Sequence, residues 1–311
     1  MRNPVGCQNR SMTPPPQRLL VAVNPAASFG RNRAVGPAVV ERLTREGFEV
    51  AMLREANFEL LRRETESAFA QGTDGLIVVG GDGIVSLGVN LVAQTGVPLG
   101  MVATGTGNDF ARGLGLPHDD PAAAIEALVA AVARPPHAVD AGVIRHGELR
   151  TWFANVVSTG FDAVVNERSN RMSRPRGASR YTIALVRELA TFRPRTYTLT
   201  IDGVPRTQRA MLVSVANNSS FGGGMQIVPH ADLTDGLLDV FIVHPLSRAG
   251  LIAVFPKVFA GRHTDHPAVE FVPAKHVRIE ADDIVAYADG ERIGPLPIDV
   301  EIVPGAVSIF R

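Results

Sequence analysis

Four consecutive apolar residues, Leu76 to Val79, run straight into Gly80-Gly81-Asp82-Gly83, and apolar residues recur beyond them at Leu87, Leu91 and Val92. A bare run of this kind suits a parallel strand covered on both faces, because a half-exposed strand would alternate polar and apolar positions. Glycines followed by helical spacing complete one strand-turn-helix unit. Similar units surround it. Leu19 to Val23 ends in Asn24-Pro25, and Arg33 to Glu46 has helical spacing (Val35, Val39, Val40, Leu43) stopped by Gly47. Phe48 to Leu53 reads as a strand, Phe58 to Gln71 as a helix, Leu99 to Val102 as another buried strand and Pro121 to Ala133 as another helix. Repeated units of this type predict an α/β domain over residues 18–140, a parallel sheet with helices on both faces.

After about Asp140 the pattern changes. Thr151–Val157, Thr196–Ile201, Arg209–Ala216, Leu238–Val243, His276–Glu280 and Ile284–Tyr287 are short and strand-like, punctuated by Gly, Pro and Asp. Only Arg180–Thr191 and Ala249–Ala260 read as helices. This texture predicts an antiparallel β-sandwich over residues 141–296, with 297–311 free to return to either domain. A length of 311 residues fits two domains. Residues 1–17 are polar, carry Pro14-Pro15-Pro16 and are expected to form a disordered tail.

Basic and acidic side chains balance at 31 each, which argues against nucleic acid as a partner, since its binders show a basic excess. No stretch approaches the ~18 consecutive apolar residues that span a bilayer; the longest, Ala122 to Ala133, is broken by Glu126. Cys7 is the lone cysteine, so no intrachain disulfide forms and a reducing cytoplasm is expected.

Three turns follow successive strands at one edge of the expected sheet: Asn24-Pro25-Ala26-Ala27-Ser28-Phe29-Gly30, Gly80-Gly81-Asp82-Gly83, and Thr104-Gly105-Thr106-Gly107-Asn108-Asp109-Phe110-Ala111-Arg112. Glycine lets main-chain amides approach an anion and take positive φ where a turn needs it. A helix start adds unpaired N–H groups and the positive end of its dipole. Gly80-Gly81-Asp82-Gly83 alone is equally a plain turn. Three such turns on one rim point to a phosphate ligand beyond the carboxyl ends of the strands, with Arg31 and Arg33 nearby as further charge.

In this order and spacing, NPxxSxG, GGDG and GTGNDFAR resemble the diacylglycerol kinase catalytic domain family, which includes sphingosine and ceramide kinases and bacterial lipid kinases. The resemblance runs from Leu19 to the carboxyl end. It implies an α/β nucleotide domain followed by a β-sandwich, a cleft between them, and transfer of phosphate from Mg·ATP to a lipid hydroxyl. By position it implies that Asn24, Ser28, Gly80, Gly81, Asp82, Gly83, Ile84, Val85, Ser86, Thr106, Asn108 and Asp109 surround ATP. Ile84, Ser86 and Leu53 replace hydroxyl or amide residues usual in the family, which puts those contacts in doubt.

In the second domain, Asp232, Asp235 and Asp239 are hard oxygen donors suited to Mg²⁺ or Ca²⁺, although as bare chemistry a β-turn ending at Gly236 is the stronger reading. The resemblance implies a structural Mg²⁺ held by the Asp235 side chain and the carbonyls of Asp232 and Leu237, with Asp109 approaching that region through water. Tyr287-Ala288-Asp289-Gly290-Glu291 is an acidic turn at a strand end, and resembles the family's catalytic-base element; either Asp289 or Glu291 is a candidate to take the proton. Ser158 to Asp162 is a candidate substrate turn, and His263 and His266 read as a solvated loop. No G-x-S-x-G elbow is present, so a Ser/His/Asp hydrolase lacks its nucleophile turn.

Arg168, Arg171, Arg174, Arg176 and Arg180, beside Met172 and Tyr181, suit peripheral contact with an anionic membrane, at about 1 kcal/mol per basic residue. The apolar stripe Leu251, Ile252, Val254, Phe255, Val258, Phe259 reads as core. The expected protein is thus an ATP- and Mg-dependent lipid kinase of the cytoplasm, transiently at the inner membrane face, with a homodimer allowed. Two rivals stand beside it. An NAD kinase shares GGDG but has a short Asn-Glu pair where GTGNDFAR stands here, and a non-catalytic lipid or nucleotide binder is motivated by Ile84 and Leu53.

Overall fold

The computed structural model describes residues 17–24, 34–160 and 193–311. The first half alternates β1 (Arg18–Val23), α1 (Val35–Arg45), β2 (Glu49–Leu53), α2 (Phe58–Ala70), β3 (Gly75–Gly80), α3 (Asp82–Val92), β4 (Leu99–Ala103), α4 (Asp109–Gly113) and α5 (Pro121–Val132). Local chemistry sets several of these boundaries. The Asn57 side chain accepts from Leu60 N at the start of α2. Asp120 accepts from Ala122 N at the start of α5, where Pro121 in the first helical position gives up an N–H that would have had no partner. β3 and β4 are buried at every position, as expected of parallel strands between helical layers.

The second half is β5 (His137–His146), β6 (Leu149–Phe153), β7 (Val156–Gly160), β8 (Arg195–Ile201), β9 (Val204–Ala210), β10 (Leu212–Ala216), β11 (Leu238–Val243), α6 (Arg248–Val258), β12 (Val269–Ala274), β13 (His276–Glu280), β14 (Val285–Ala288), β15 (Glu291–Pro295) and β16 (Ile298–Ile309). Among the described residues two sheets form. One runs β2-β1-β3-β4-β16-β13-β8-β9 with β5 and β6 branching from β16, and the other runs β12-β11-β10-β7-β14-β15. β2, β1, β3 and β4 are parallel, while the second sheet is antiparallel throughout. The two sheets enclose a core of Val157, Tyr197, Leu199, Val213, Val215, Val240, Val277 and Ile298, which makes the sandwich. β8 shows the period of two directly: Tyr197, Leu199 and Ile201 are buried and the threonines between them are not.

The α/β layer and the sandwich are not joined by a linker. β5 passes unbroken through Asp140, and it pairs with β16 along most of its length. β16 then returns to the α/β layer, where Ile309 pairs parallel with Leu99 of β4. One apolar cluster runs from Leu61, Leu76 and Ile84 to Trp152, Leu233 and Val307, so both halves bury surface against each other. Asn90 of α3 seals this seam by pairing with both the N–H and the carbonyl of Trp152.

Two runs expected as single strands are each cut in two. Thr151–Val157 divides between β6 and β7, and Arg209–Ala216 between β9 and β10. At both places the chain leaves one sheet for the other, and at the first the crossover residues are held by a side chain distant in sequence, described below. The helix expected at Arg180–Thr191 and the amino-terminal tail lie outside the described residues.

Candidate active site

The turns after β3 and β4 meet at the rim. A Cβ on Gly105 would sit 2.5 Å from the Gly81 Cα, so two main chains lie in contact with no room for a side chain between them. None of Gly80, Gly81, Gly83, Gly105 or Gly107 has positive φ. The glycines here serve close packing of two loops rather than an unusual backbone angle. Asn24, at the end of β1, stands beside Gly80 and donates its N–H to Val79 O.

Asp82 fastens the two loops. Its carboxylate accepts from Asn108 N at 2.9 Å and Asp109 N at 2.8 Å, which caps α4. Burial, with the charge of Asp109 adding to it, raises its pKa from the ordinary aspartate value. Asn108 takes the left-handed conformation, and its side chain is spent on Gly105 N, Gly105 O and His118 O. It shapes the turn rather than facing a ligand. Thr106 is exposed at the mouth of a polar cleft of ≈ 550 Å³, lined also by Thr104, Asn108, Arg112 and His118.

Three of the expected nucleotide contacts are corrected by packing. Ile84 and Val85 point into the α/β core, and their N–H groups are already bonded to Gly81 O. Ser86, the next residue, is buried as well. An isoleucine at 84 therefore fills apolar space against Gly80. Ser28 lies outside the described residues, as do Arg31, Arg33, Asp162 and the arginines from Arg168 to Arg180.

Asp109 is also corrected. It does not turn toward the loop at 232–237; its two carboxylate oxygens accept from Gly223 N at 2.9 Å and Gly224 N at 2.8 Å. Gly222, Gly223 and Gly224 all have positive φ, which is what turns successive amides toward one anion. A clamp from the α/β rim thus holds a loop of the sandwich. Asn218 reinforces it by donating to Asp109 O and to Asn155 Oδ1, and Asn217 donates to Asp140 O and Ala154 O. Sequence reading missed Asn155, Asn217 and Asn218. The signal was available, since two asparagines ending the apolar run of β10 are buried polar groups that demand partners.

The acidic turn comes from the opposite side. Asp289 and Gly290, at φ 48° and 86°, form the two-residue connection of the β14–β15 hairpin. Asp289 is buried, and its carboxylate accepts from Ala154 N at 2.8 Å, Asn155 N at 3.0 Å and Val156 N at 3.0 Å. These are the residues at which the chain crosses between sheets. Burial pushes the carboxyl up to about 6 although the three amides pull it down. Glu291, two positions on, is exposed, and its Oε1 comes to 4.0 Å from where a Gly83 Cβ would be. The sandwich turn therefore presents a free carboxylate to the amino end of α3.

The loop at 232–237 offers oxygen donors. Asp232 Oδ1 accepts from Thr234 N and Oγ1, and Asp235 Oδ1 accepts from Leu237 N. Asp140 joins it by accepting from Gly236 N and Gly305 N. Burial raises the Asp239 pKa, while His230 lowers it and the nearby Asp235 charge raises it. Among the described residues no three His, Cys, Asp or Glu side chains form a cage. One carboxylate with main-chain carbonyls fits Mg²⁺, which keeps much of its water shell.

His263 is not solvated. It is fully buried between Phe241 and Phe271, with Nε2 at 2.9 Å from Ile227 O, and burial holds its pKa below the ordinary value. The native state thus keeps this imidazole neutral while the unfolded chain protonates it near 6.5. Its contribution to stability is present above that pH and is lost as pH falls through it, by at most about 1.4 kcal/mol per pH unit. Thermal unfolding followed from pH 8 downward should show His263→Gln losing less stability on acidification than the wild type.

Residues 18–141 match the diacylglycerol kinase catalytic domain family, and residues 155–311 match the YegS C-terminal NAD kinase beta sandwich-like domain. The chain is 36% identical over 296 residues to a diacylglycerol kinase of Mycobacterium tuberculosis strain H37Rv, covering 94% of this chain and 95% of that protein. It is 26% identical to a diacylglycerol kinase of Staphylococcus aureus strain RF122, covering 94% and 92%. A crystal structure of a diacylglycerol kinase from Bacillus anthracis superposes with a TM-score of 0.70 at 22% identity, covering 94% of this chain and 96% of that one, and so shares its fold.

Proposed function

The chain belongs to the diacylglycerol kinase family, and on that premise we propose that it transfers the γ-phosphoryl group of Mg·ATP to the free hydroxyl of diacylglycerol or a related lipid, with Glu291 receiving the hydroxyl proton. The observation that supports this reading is the approach of Glu291 Oε1 to the Gly83 position, an exposed carboxylate of the sandwich beside the start of α3.

The ATP phosphates would lie on the amino end of α3 and along the Thr104–Asn108 turn, where Arg112 lines the same cleft. The lipid oxygen forms a bond to the γ-phosphorus as the bond to the ADP oxygen breaks, and the proton passes to Glu291. Magnesium, when bound with the nucleotide, neutralises charge on the phosphates. A second Mg²⁺ at Asp235, with the Asp232 and Leu237 carbonyls, would stiffen the loop that Asp140 ties to β16. Burial raises the pKa of Asp289, but every side-chain oxygen it has is engaged and it is buried. Geometry decides before pKa, which favours Glu291.

An apolar cavity under α6 supports a lipid over a dinucleotide as substrate. It is lined by Met211, Phe221, Met225, Phe241, Phe255 and Val258 among others. Phe221 and Met225 of its lining flank in sequence Gly223 and Gly224, the residues clamped by Asp109, so an apolar chain seated there would leave its polar end toward the rim. A peripheral approach to the membrane follows from such a substrate, and no helix among the described residues is long and apolar enough to cross a bilayer. The test is transfer of labelled phosphate from ATP to a panel of diacylglycerols, related lipid alcohols and NAD. Phosphatidic acid is the expected product; NADP, or no product from a folded ATP-binding protein, would reject the proposal.

A further inference from the structure

Helix α6 carries a broad apolar surface, and among the described residues only part of it is covered. Leu251, Val254, Phe255 and Val258 line the apolar cavity beneath it. The flank of the helix next to that lining carries Ile252, 59% exposed, and Phe259, 52% exposed, seven residues apart and therefore on one side of the helix, with Phe259 edge-on to Phe255. Ala249, Ala253, Pro256 and Ala260 are exposed between and beside them. The stripe expected as core is thus core on one side only. A contiguous exposed apolar face on a soluble domain marks a surface that something covers.

Charge says what covers it. Arg248, Lys257 and Arg262 are exposed around this face, and no aspartate or glutamate occurs from Val240 to Thr264. Asp265 follows that stretch, and Glu270 on the neighbouring β12 is already paired with Arg206 and His244. Apolar side chains ringed by unopposed cations fit an interface with anionic lipid, where apolar residues enter the acyl boundary and basic ones meet the headgroups.

We propose that the outward face of α6 is the surface on which this protein lies against an anionic bilayer. Ile252 and Phe259 enter the lipid, Lys257 and Arg262 hold headgroups, and the cavity on the inner side of the same helix receives the acyl chains. The choice of partner rests on the lipid-kinase reading. A helix placed in this way lets a lipid pass from bilayer to cavity without its chains crossing water.

The experiment is co-sedimentation with vesicles of phosphatidylcholine alone and of phosphatidylcholine mixed with phosphatidylglycerol, using the full chain. The wild type should bind the mixed vesicles, and less so as salt rises. The Ile252→Glu/Phe259→Glu variant should partition at least about tenfold less, with unchanged melting temperature and unchanged turnover of a water-soluble short-chain diacylglycerol. Lys257→Glu/Arg262→Glu should lose the preference for mixed vesicles. Unaltered vesicle binding by Ile252→Glu/Phe259→Glu would overturn the proposal. So would a wild-type dimer that this variant turns into a monomer, since the face would then be covered by a second copy. If no lipid is phosphorylated but vesicle binding still depends on Ile252 and Phe259, the docking surface stands and the kinase reading falls.

Discussion

Glu291→Gln is expected to lower kcat for lipid phosphorylation by about 10²–10⁴-fold, the range for losing a positioned general base. Glutamine keeps the shape of the side chain and removes its basicity. Glu291 is exposed at the first position of β15 and no hydrogen bond of the fold depends on it, so stability should stay within about 0.5 kcal/mol of wild type. ATP affinity should likewise hold, because the phosphate rim is built from main chain on the other side of the cleft. The measurement is steady-state turnover alongside thermal unfolding and nucleotide binding. Wild-type turnover by Glu291→Gln would remove Glu291 from the mechanism. The rival base, Asp289, would then have to show a loss of turnover in Asp289→Asn without a loss of stability.

That rival outcome is not expected, because Asp289 has a different task. Asp289→Ala leaves the N–H groups of Ala154, Asn155 and Val156 buried without acceptors. At about 1–3 kcal/mol for each orphaned donor the loss is at least roughly 3 kcal/mol, a fall of about 4–5 °C or more in melting temperature for a chain of this size. Asp289→Asn should be milder, since one amide oxygen can still accept, yet it turns an NH₂ toward one of the three donors. Both variants should lose activity through the cleft as well, since Asn155 is the partner of Asn218, which bonds Asp109 O. Differential scanning calorimetry of both variants checks the order: alanine worst, asparagine intermediate. Equal stability of Asp289→Ala and wild type would show that the crossover is held by something else.

Apart from α4, which was read as part of a turn, the α/β half was legible to within a residue or two because its signals are local. Leu76 to Val79 is apolar throughout since helices cover both faces of β3, Gly47 follows α1 with a positive φ, and Asn57 starts α2 with its side chain. The sandwich was legible only as a class. Thr151–Val157 and Arg209–Ala216 look continuous because strand propensity does not change when a chain turns from one sheet into another. The corner at Ala154–Asn155 is set by Asp289, more than 130 residues away, and no window along the chain contains both.

Much the same division holds in the site. Motif order in the sequence located the glycine turns of the rim, the acidic turn and the loop at 232–237, since each is a short segment whose composition reports its own conformation. Which members face a ligand was decided by packing. Ile84 and Val85 turned to the core, Asn108 to its own loop, Asp109 to Gly223 and Gly224, and Asp289 to the crossover, leaving Glu291 as the carboxylate that meets the rim. A residue's type fixes what bonds it can make. Its partner is fixed by neighbours brought close by the β5–β16 pairing and the core shared across the two halves, and that closeness exists only once the chain has folded.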